Sequence, residues 1–188
     1  HPSHFPILCV TVASSIQIVY NIPERGDLMD YHVRKACKDD LERAQEIYAY
    51  ARAFMRDHGN PNQWYNNHPP LEKDVENGDL YVICRDGNIH GVFYFFVGED
   101  PTYRKIEGGS WRSNSLYGTI HRIAGDGSGG ILKTAVAFAK RSISHVRIDT
   151  HEDNYVMQKA VTKQGFEKRG IIYIADGSPR LAYDLLVE

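Results

Sequence analysis

The sequence lacks the residue spacings that disulfide frameworks and metal centres require. Its three cysteines, Cys9, Cys37 and Cys84, are scattered and form no C-x-x-C pair. Free thiols in a reducing, cytoplasmic compartment are therefore predicted. The nine histidines include no H-E-x-x-H or comparable ligand spacing, so no metal site is expected.

The chain also has little net charge and no long hydrophobic run. A formal net charge of -2 at pH 7 gives no argument for binding to nucleic acid. The apolar stretch 5–12 is too short to span a bilayer and follows no basic segment, so no membrane association is predicted. Residues 29–188 are expected to form a single domain, and residues 1–28 an extension, either appended or a native accessory strand.

From Met29 onward, the hydrophobic periodicity predicts alternating strands and helices. Asp39 is expected to cap the first helix, with Glu42 completing a capping box. A long polar loop, 98–115, is expected to have a role in gating or substrate contact. The predicted elements are a strand at 31–36, helices at 39–59 and 71–77, a hairpin at 80–85 and 89–97, a strand at 116–124, a helix at 129–141, a strand at 145–149, a helix at 154–164, and a hairpin at 166–174 and 180–187.

The most informative segment is 119–141, which predicts a β-branched strand, a glycine-rich turn and an amphipathic helix. In that arrangement, glycines allow backbone N–H groups to converge at the positive end of a helix, which suits a phosphate or pyrophosphate. A P-loop is not matched, because Leu132 stands where a glycine must precede Lys133 and Thr134.

The dinucleotide-binding spacing G-x-G-x-x-G is matched by Gly125, Gly127 and Gly130, and Asp149 follows at the end of the next strand. However, an antiparallel hairpin is predicted before this turn, and the chain after it has room for only one further parallel unit. A dinucleotide fold needs several βαβ units. Dinucleotide binding is therefore the weaker alternative.

The order of elements over residues 30–187 resembles the GNAT superfamily of acyl-CoA-dependent N-acetyltransferases. The resemblance is strongest where Ile148-Asp-Thr-His-Glu-Asp-Asn154 leads to Lys163-Gln-Gly-Phe166, and Tyr117-Gly-Thr-Ile-His-Arg122 looks similar to small bacterial members of unassigned substrate. It implies an α/β fold (an α+β mixed sheet) with about seven strands, mostly antiparallel around a central parallel pair, and about four helices.

The resemblance also implies a function. The cofactor would be acetyl-CoA. The acceptor would be a small-molecule amine or a peptide N-terminus, which attacks the thioester directly in a ternary complex. A homodimer is one possible assembly of the chain. Main-chain groups of Ile123 and Ala124 would hold the pantetheine arm, with Asn154 near the coenzyme. The pyrophosphate would lie on the turn residues Gly127, Ser128, Gly129, Gly130 and Ile131.

Two alignments of the family's [Q/R]-x-x-G-x-[G/A] motif fit this turn. The segment 122–127 matches it letter for letter, whereas 127–132 better matches the family's helix and is preferred. The resemblance suggests His121 as the general base, because histidine titrates near neutral pH. An ordinary strand histidine is the alternative.

The family's usual tyrosine acid is replaced by Val161, so Tyr173, Tyr155 or water would protonate the thiolate, or it would leave unassisted. The same valine leaves a non-catalytic CoA-binding module as an alternative function. Trp64, Tyr103 and Trp111 are candidate substrate contacts, with packing of the loop against the sheet as the other explanation.

Overall fold

The computed structural model describes residues 30–60 and 69–188. Trp64 and residues 1–28 lie outside the described residues. The elements are β1 (His32–Lys35), a 3-10 turn (Lys38–Asp40), α1 (Leu41–Asp57), α2 (Leu71–Asn77), β2 (Leu80–Arg85), β3 (Asn88–Val97), a second 3-10 turn (Pro101–Tyr103), β4 (Gly118–Gly125), α3 (Ile131–Ser142), β5 (His145–Thr150), α4 (Tyr155–Lys163), β6 (Glu167–Tyr173) and β7 (Pro179–Leu186).

The seven strands form one mixed sheet in the order β1-β2-β3-β4-β5-β7-β6. Every neighbouring pair is antiparallel except β4 and β5, which are parallel and lie at the centre. The predicted mixed sheet, with its central parallel pair and four helices, is therefore confirmed. No helix in the described part of the chain is both long and apolar enough to cross a membrane.

The two parallel strands separate soon after they meet. They pair only at Gly118 with Val146 and at Thr119 with Arg147, although β4 continues to Gly125. Beyond these pairs, the β5-facing edge of β4 has no strand partner among the described residues. The sheet is thus open at its centre, on the side toward the amino terminus of α3.

Each face of the sheet is covered by helices whose apolar side chains pack onto it. On one face, Phe138 of α3 packs against the rings of Tyr81, Phe93 and Phe95, at centroid distances of 4.8, 5.8 and 5.6 Å. On the other face, α1 buries Ala44, Ile47 and Tyr48 against the alternate residues of β2 and β3. This alternation is what a two-sided buried sheet requires.

The beginning of the first helical segment differs from the prediction. Helical structure begins at Lys38, and Asp40, not Asp39, accepts the Cys37 backbone N–H at 2.8 Å. The reason is tertiary, because Arg34 of β1 holds both oxygens of the Asp40 carboxylate, at 2.7 and 2.9 Å. The predicted Asp39 cap was therefore wrong by one residue.

Replacing Phe138 by alanine should destabilise the domain strongly. The side chain is 6% exposed, so its loss leaves a cavity among three aromatic rings, and we expect the free energy of unfolding to fall by about 3–5 kcal/mol. Urea unfolding followed by circular dichroism measures this. Tyr155→Ala is the matched control, since its ring is 66% exposed and its loss should change stability by less than about 0.5 kcal/mol. Equal effects of the two variants would contradict the packing described here.

Candidate functional site

An irregularity in β4 places two consecutive polar residues on one side of the sheet. Ala124 lies opposite Val92, but His121 lies opposite Tyr94, so β4 contains one more residue than β3 over this interval. Arg122, inside this bulge, has a φ of 49°. Without the bulge, successive side chains would point to opposite faces. With it, His121 and Arg122 both line one pocket.

That pocket has a volume of about 370 Å³, which is within the usual range for small-ligand sites. It lies between β3, β4, the beginning of α2 and the start of the loop after β3. It combines carboxylates, a histidine and an arginine with an aromatic and proline wall. Its lining residues are Pro70, Asp74, Tyr94, Phe96, Glu99, Asp100, Pro101, His121 and Arg122.

The imidazole of His121 lies between two carboxylates. Its Nε2 is 2.8 Å from Oδ2 of Asp100, and its Nδ1 is 3.6 Å from Oδ1 of Asp149 across the opening between β4 and β5. Burial alone would raise the pKa of Asp100, but the hydrogen bond and charge of His121 and the Thr102 N–H lower it below its usual value. Asp100 is therefore an ionised acceptor, which favours the Nε2–H form of the ring and leaves Nδ1 as the free base position.

The 3-10 turn Pro101–Tyr103 connects the two separated strands. Asp100, its N-cap, binds His121 on β4, and the buried Tyr103 hydroxyl donates to Oδ1 of Asp149 on β5 at 2.6 Å. Burial and the charge of Asp149 raise the pKa of Tyr103 well above its usual value, so the hydroxyl remains a donor. One short turn thus fixes side chains on both sides of the opening.

Arg122 is held on the pocket wall by three contacts. Its Nη2 donates to Oδ2 of Asp74 at 2.7 Å, and its guanidinium lies 5.1 Å from the ring centroid of Tyr94. Its backbone carbonyl accepts the Tyr48 hydroxyl of α1 at 2.8 Å. Burial, together with the charges of Asp79 and Asp74, raises the pKa of Tyr94 to about 12, so Tyr94 is a neutral phenol at physiological pH.

The glycine turn opens directly onto the amino terminus of α3. Gly127, Gly129 and Gly130 have φ values of 90, 80 and 74°, which residues with a side chain rarely adopt. The first backbone bond of the helix is from Thr134 N–H to the Gly130 carbonyl. The N–H groups of Ile131 and Leu132 therefore precede the helical ladder, and no acceptor for them occurs in the described part of the chain.

A charged cluster beneath the turn fixes its shape. Asp126 accepts the Ser128 N–H at 3.1 Å, and its other oxygen lies 3.0 Å from Arg43 Nη2 and 2.9 Å from His90 Nδ1. Burial would raise the pKa of Asp126, but the bonds from Ser128 and His90 lower it. The carboxylate within the turn is thus paired with the guanidinium of Arg43, which matters for a site expected to receive an anion.

The predicted coenzyme contacts lie along this opening. Ile123 and Ala124 are on the part of β4 beyond its pairing with β5, and the five predicted turn residues lead into α3. Asn154 is the N-cap of α4, and its side chain accepts the Met157 N–H at 3.1 Å. Its predicted capping role is confirmed, and its contact with coenzyme stays a prediction.

The other predicted residues lie away from His121 or are packed. Tyr173 is at the end of the edge strand β6, 41% exposed, and donates to Glu107 at 2.9 Å; β5 and β7 lie between its strand and β4. Tyr103 is 1% exposed, and the Trp111 indole donates to its carbonyl and lies against Arg147. Neither Tyr103 nor Trp111 lines the pocket. Both pack against neighbouring residues, as in the alternative interpretation given in the sequence analysis.

Several residues of the site were missed by sequence reasoning. Asp100 falls within the predicted polar loop, Arg43 and Asp74 within predicted helices, and His90 within a predicted strand, and no sequence pattern singled out any of the four. Only Asp126 had a usable signal, because an acidic residue inside a glycine-rich phosphate turn requires a counter-charge. The partners of the others come from distant parts of the chain.

Replacing Asp100 by asparagine should reduce stability in a pH-dependent manner. Because the folded pKa of Asp100 is lowered, its contribution is fully present above about pH 4 and is lost as pH falls through the lowered pKa. We expect Asp100→Asn to lower the free energy of unfolding by about 1.5 kcal/mol at pH 6 and by less at pH 3, measured by urea unfolding. The exposed Asp57→Asn is the control, and a deficit that grows on acidification would contradict the assignment.

Comparisons with known proteins support one fold family. No protein-family model matches the chain, and no curated protein is significantly similar to it in sequence. A solved GNAT-family acetyltransferase from Streptococcus agalactiae is 27% identical with a TM-score of 0.74, covering 84% of this chain and 96% of that chain. One from Listeria monocytogenes is 18% identical with a TM-score of 0.63, covering 84% and 95%.

A third solved structure is RimJ from Mycobacterium smegmatis in complex with CoA-disulfide. It is 15% identical with a TM-score of 0.53, and the match covers 83% of this chain and 81% of that chain. The matches extend over most of the described chain, including the mixed sheet with its central parallel pair. The chain therefore has the fold of the GNAT-family acetyltransferases.

Proposed function

We propose that this protein is an acetyl-CoA-dependent N-acetyltransferase that transfers the acetyl group to a primary amine by direct attack in a ternary complex. The observation that carries the proposal is the opening between β4 and β5, which has His121 on its wall and the glycine turn at its end. The acetyltransferase descriptions of the structural neighbours, one of them bound to CoA-disulfide, support this reading.

The coenzyme would be held by main-chain groups. The amides of the glycine turn and of Ile131 and Leu132 suit its pyrophosphate, apart from that of Ser128, which donates to Asp126. The free edge of Ile123 and Ala124 suits the pantetheine arm. The alignment of the motif on 127–132 is supported because Gly125 lies within β4 and the Arg122 side chain is bound to Asp74. When bound, acetyl-CoA supplies an acetyl thioester as the electrophile.

His121 would take the proton from the acceptor amine. An alkylammonium has a pKa of roughly 10 and must lose a proton before it can attack. Asp100 holds the Nε2–H form of the ring, so Nδ1 is the atom that can accept this proton. Asp149, 3.6 Å from Nδ1, is placed to attract the ammonium beforehand. The Asp100 carboxylate then stabilises the imidazolium that results.

The structure offers less help to the departing thiolate. Val161 is fully buried in the core, so no hydroxyl is available at that position, and Tyr173 is engaged with Glu107 on the edge strand. We propose that the thiolate leaves unassisted, which a thiol pKa of about 8.5 permits. The buried valine is also the observation that keeps a non-catalytic CoA-binding module as the second candidate.

Acetyl-CoA should bind tightly and NAD should not. Isothermal titration with each ligand separates acyl-CoA binding from dinucleotide binding, because both suit a glycine turn but only the former is compatible with this sheet. A thiol-release assay against a panel of primary amines then tests catalysis. Turnover with any amine excludes the non-catalytic module, whereas NAD binding without CoA binding would end the acetyltransferase proposal.

Replacing His121 by glutamine should lower kcat by about 10²–10⁴ and remove the part of the pH profile that reports ring deprotonation. Asp100→Asn should lower kcat in the same direction with the KM for acetyl-CoA unchanged, because the ring loses the group that sets its tautomer. His32→Gln on β1 is the matched control and should keep the wild-type rate. An unchanged rate in His121→Gln would show that His121 is not the general base and has only a packing role.

A further inference from the structure

We infer that the acceptor is a primary amine with an apolar or aromatic body and no carboxylate beside the amine, so that arylalkylamines and alkylamines are favoured over free amino acids. This inference rests on the proposed acetyl transfer and names its substrate class. It is drawn from the charge and the wall composition of the pocket beside His121.

The charges around the pocket disfavour an anionic ligand. Three carboxylates line it, from Asp74, Glu99 and Asp100, against one permanent cation, Arg122. Arg122 is already bound to Asp74 at 2.7 Å through Nη2, and its other terminal nitrogen, Nη1, is buried from solvent without a hydrogen-bond partner among the described residues. A ligand carboxylate in this pocket would lie near the carboxylates of Glu99 and Asp100.

Among the described residues around the pocket, no other cation is free to receive a carboxylate. His121 uses its Nε2 for Asp100, and its Nδ1 is the proposed proton acceptor. Arg104 lies against Glu99, with Nε 2.5 Å from Oε1, and is itself 64% exposed. The described lining therefore offers attraction to an ammonium and repulsion to an adjacent carboxylate.

The opposite wall suits a flat apolar body. Tyr94 and Phe96 alternate along β3 on the face away from the Phe93 and Phe95 core, and Phe96 is 36% exposed. Pro70 and Pro101 extend this wall. An aromatic ring can stack here, and an aliphatic ammonium can lie over the rings. A cavity of about 370 Å³ accommodates a single ring with a short aminoalkyl chain, which lets the amine reach His121.

The test uses acceptors that differ only at the carboxylate. Phenethylamine, phenylalanine and phenylalaninamide have the same ring and amine, and the amide matches the carboxylate in size without its charge. With kcat/KM corrected for the fraction of free amine, we expect phenethylamine and the amide to exceed phenylalanine by at least about tenfold, equivalent to about 1.4 kcal/mol. Phenylalanine turned over as well as the amide would overturn the inference.

A charge reversal at the pocket rim gives a second test. Glu99→Lys should reduce the preference for phenethylamine over phenylalanine by about tenfold, because it supplies the missing cation at a 63% exposed position where folding is not at risk. Glu76→Lys, an exposed change on α2 outside the lining, should leave the preference unaltered. An unchanged preference in Glu99→Lys would also overturn the inference.

Binding separates failure of this inference from failure of the proposed transfer. The same three ligands are titrated into the protein by calorimetry with coenzyme A present. Tighter binding of phenethylamine and the amide without any thiol release would reject the transfer and support the selectivity of the pocket. Equal or tighter binding of phenylalanine would reject the selectivity whatever the thiol assay shows.

Discussion

The separation of β4 from β5 is the constraint on which the rest of the site depends. Two parallel strands that meet at only two residue pairs leave main-chain groups without partners, which is costly in a buried sheet. The 3-10 turn Pro101–Tyr103 spans this gap, since Asp100 binds His121 on β4 and Tyr103 binds Asp149 on β5. These contacts fix the width of the opening, where an extended ligand could pair with the free edge of β4.

The same contacts that hold the opening also give the two ring nitrogens of His121 different surroundings. Here, Asp100 is within hydrogen-bonding distance and Asp149 is not, and the Tyr103 hydroxyl takes up part of the Asp149 charge. This asymmetry distinguishes the ring nitrogens, so one is oriented and the other is available.

Charge is distributed differently at the two ends of the opening. At the glycine turn, Asp126 forms an ion pair with Arg43 and lies within hydrogen-bonding distance of His90, so the partial positive charge of the α3 amino terminus is available to an anion. At the acceptor end, Arg122 is committed to Asp74 and carboxylates dominate the lining. One molecule with a diphosphate and another with an ammonium would therefore be directed to opposite ends of one site.

Much of the fold was predictable from local patterns. The Asp86-Gly87 turn determined the β2–β3 hairpin, with φ values of 51 and 76° that these residue types accept. The glycine run predicted where α3 begins to within two residues, and His121 was identified from its strand. The predicted N-cap of the first helix was wrong by one residue because Arg34, on the preceding strand β1, binds Asp40 and so decides which aspartate faces the backbone.

What the sequence by itself determined is the order of elements and the position of the glycine turn, because periodicity and glycine conformations act over a few residues. The central parallel pair was implied by the family resemblance. Only the tertiary structure decided that His121 and Arg122 share a face, that Asp100 and Asp149 flank the ring, and that Tyr103 is buried. Those outcomes depend on a one-residue bulge and on contacts between segments far apart in the chain. No local pattern encodes them, since each requires the sheet to be assembled first.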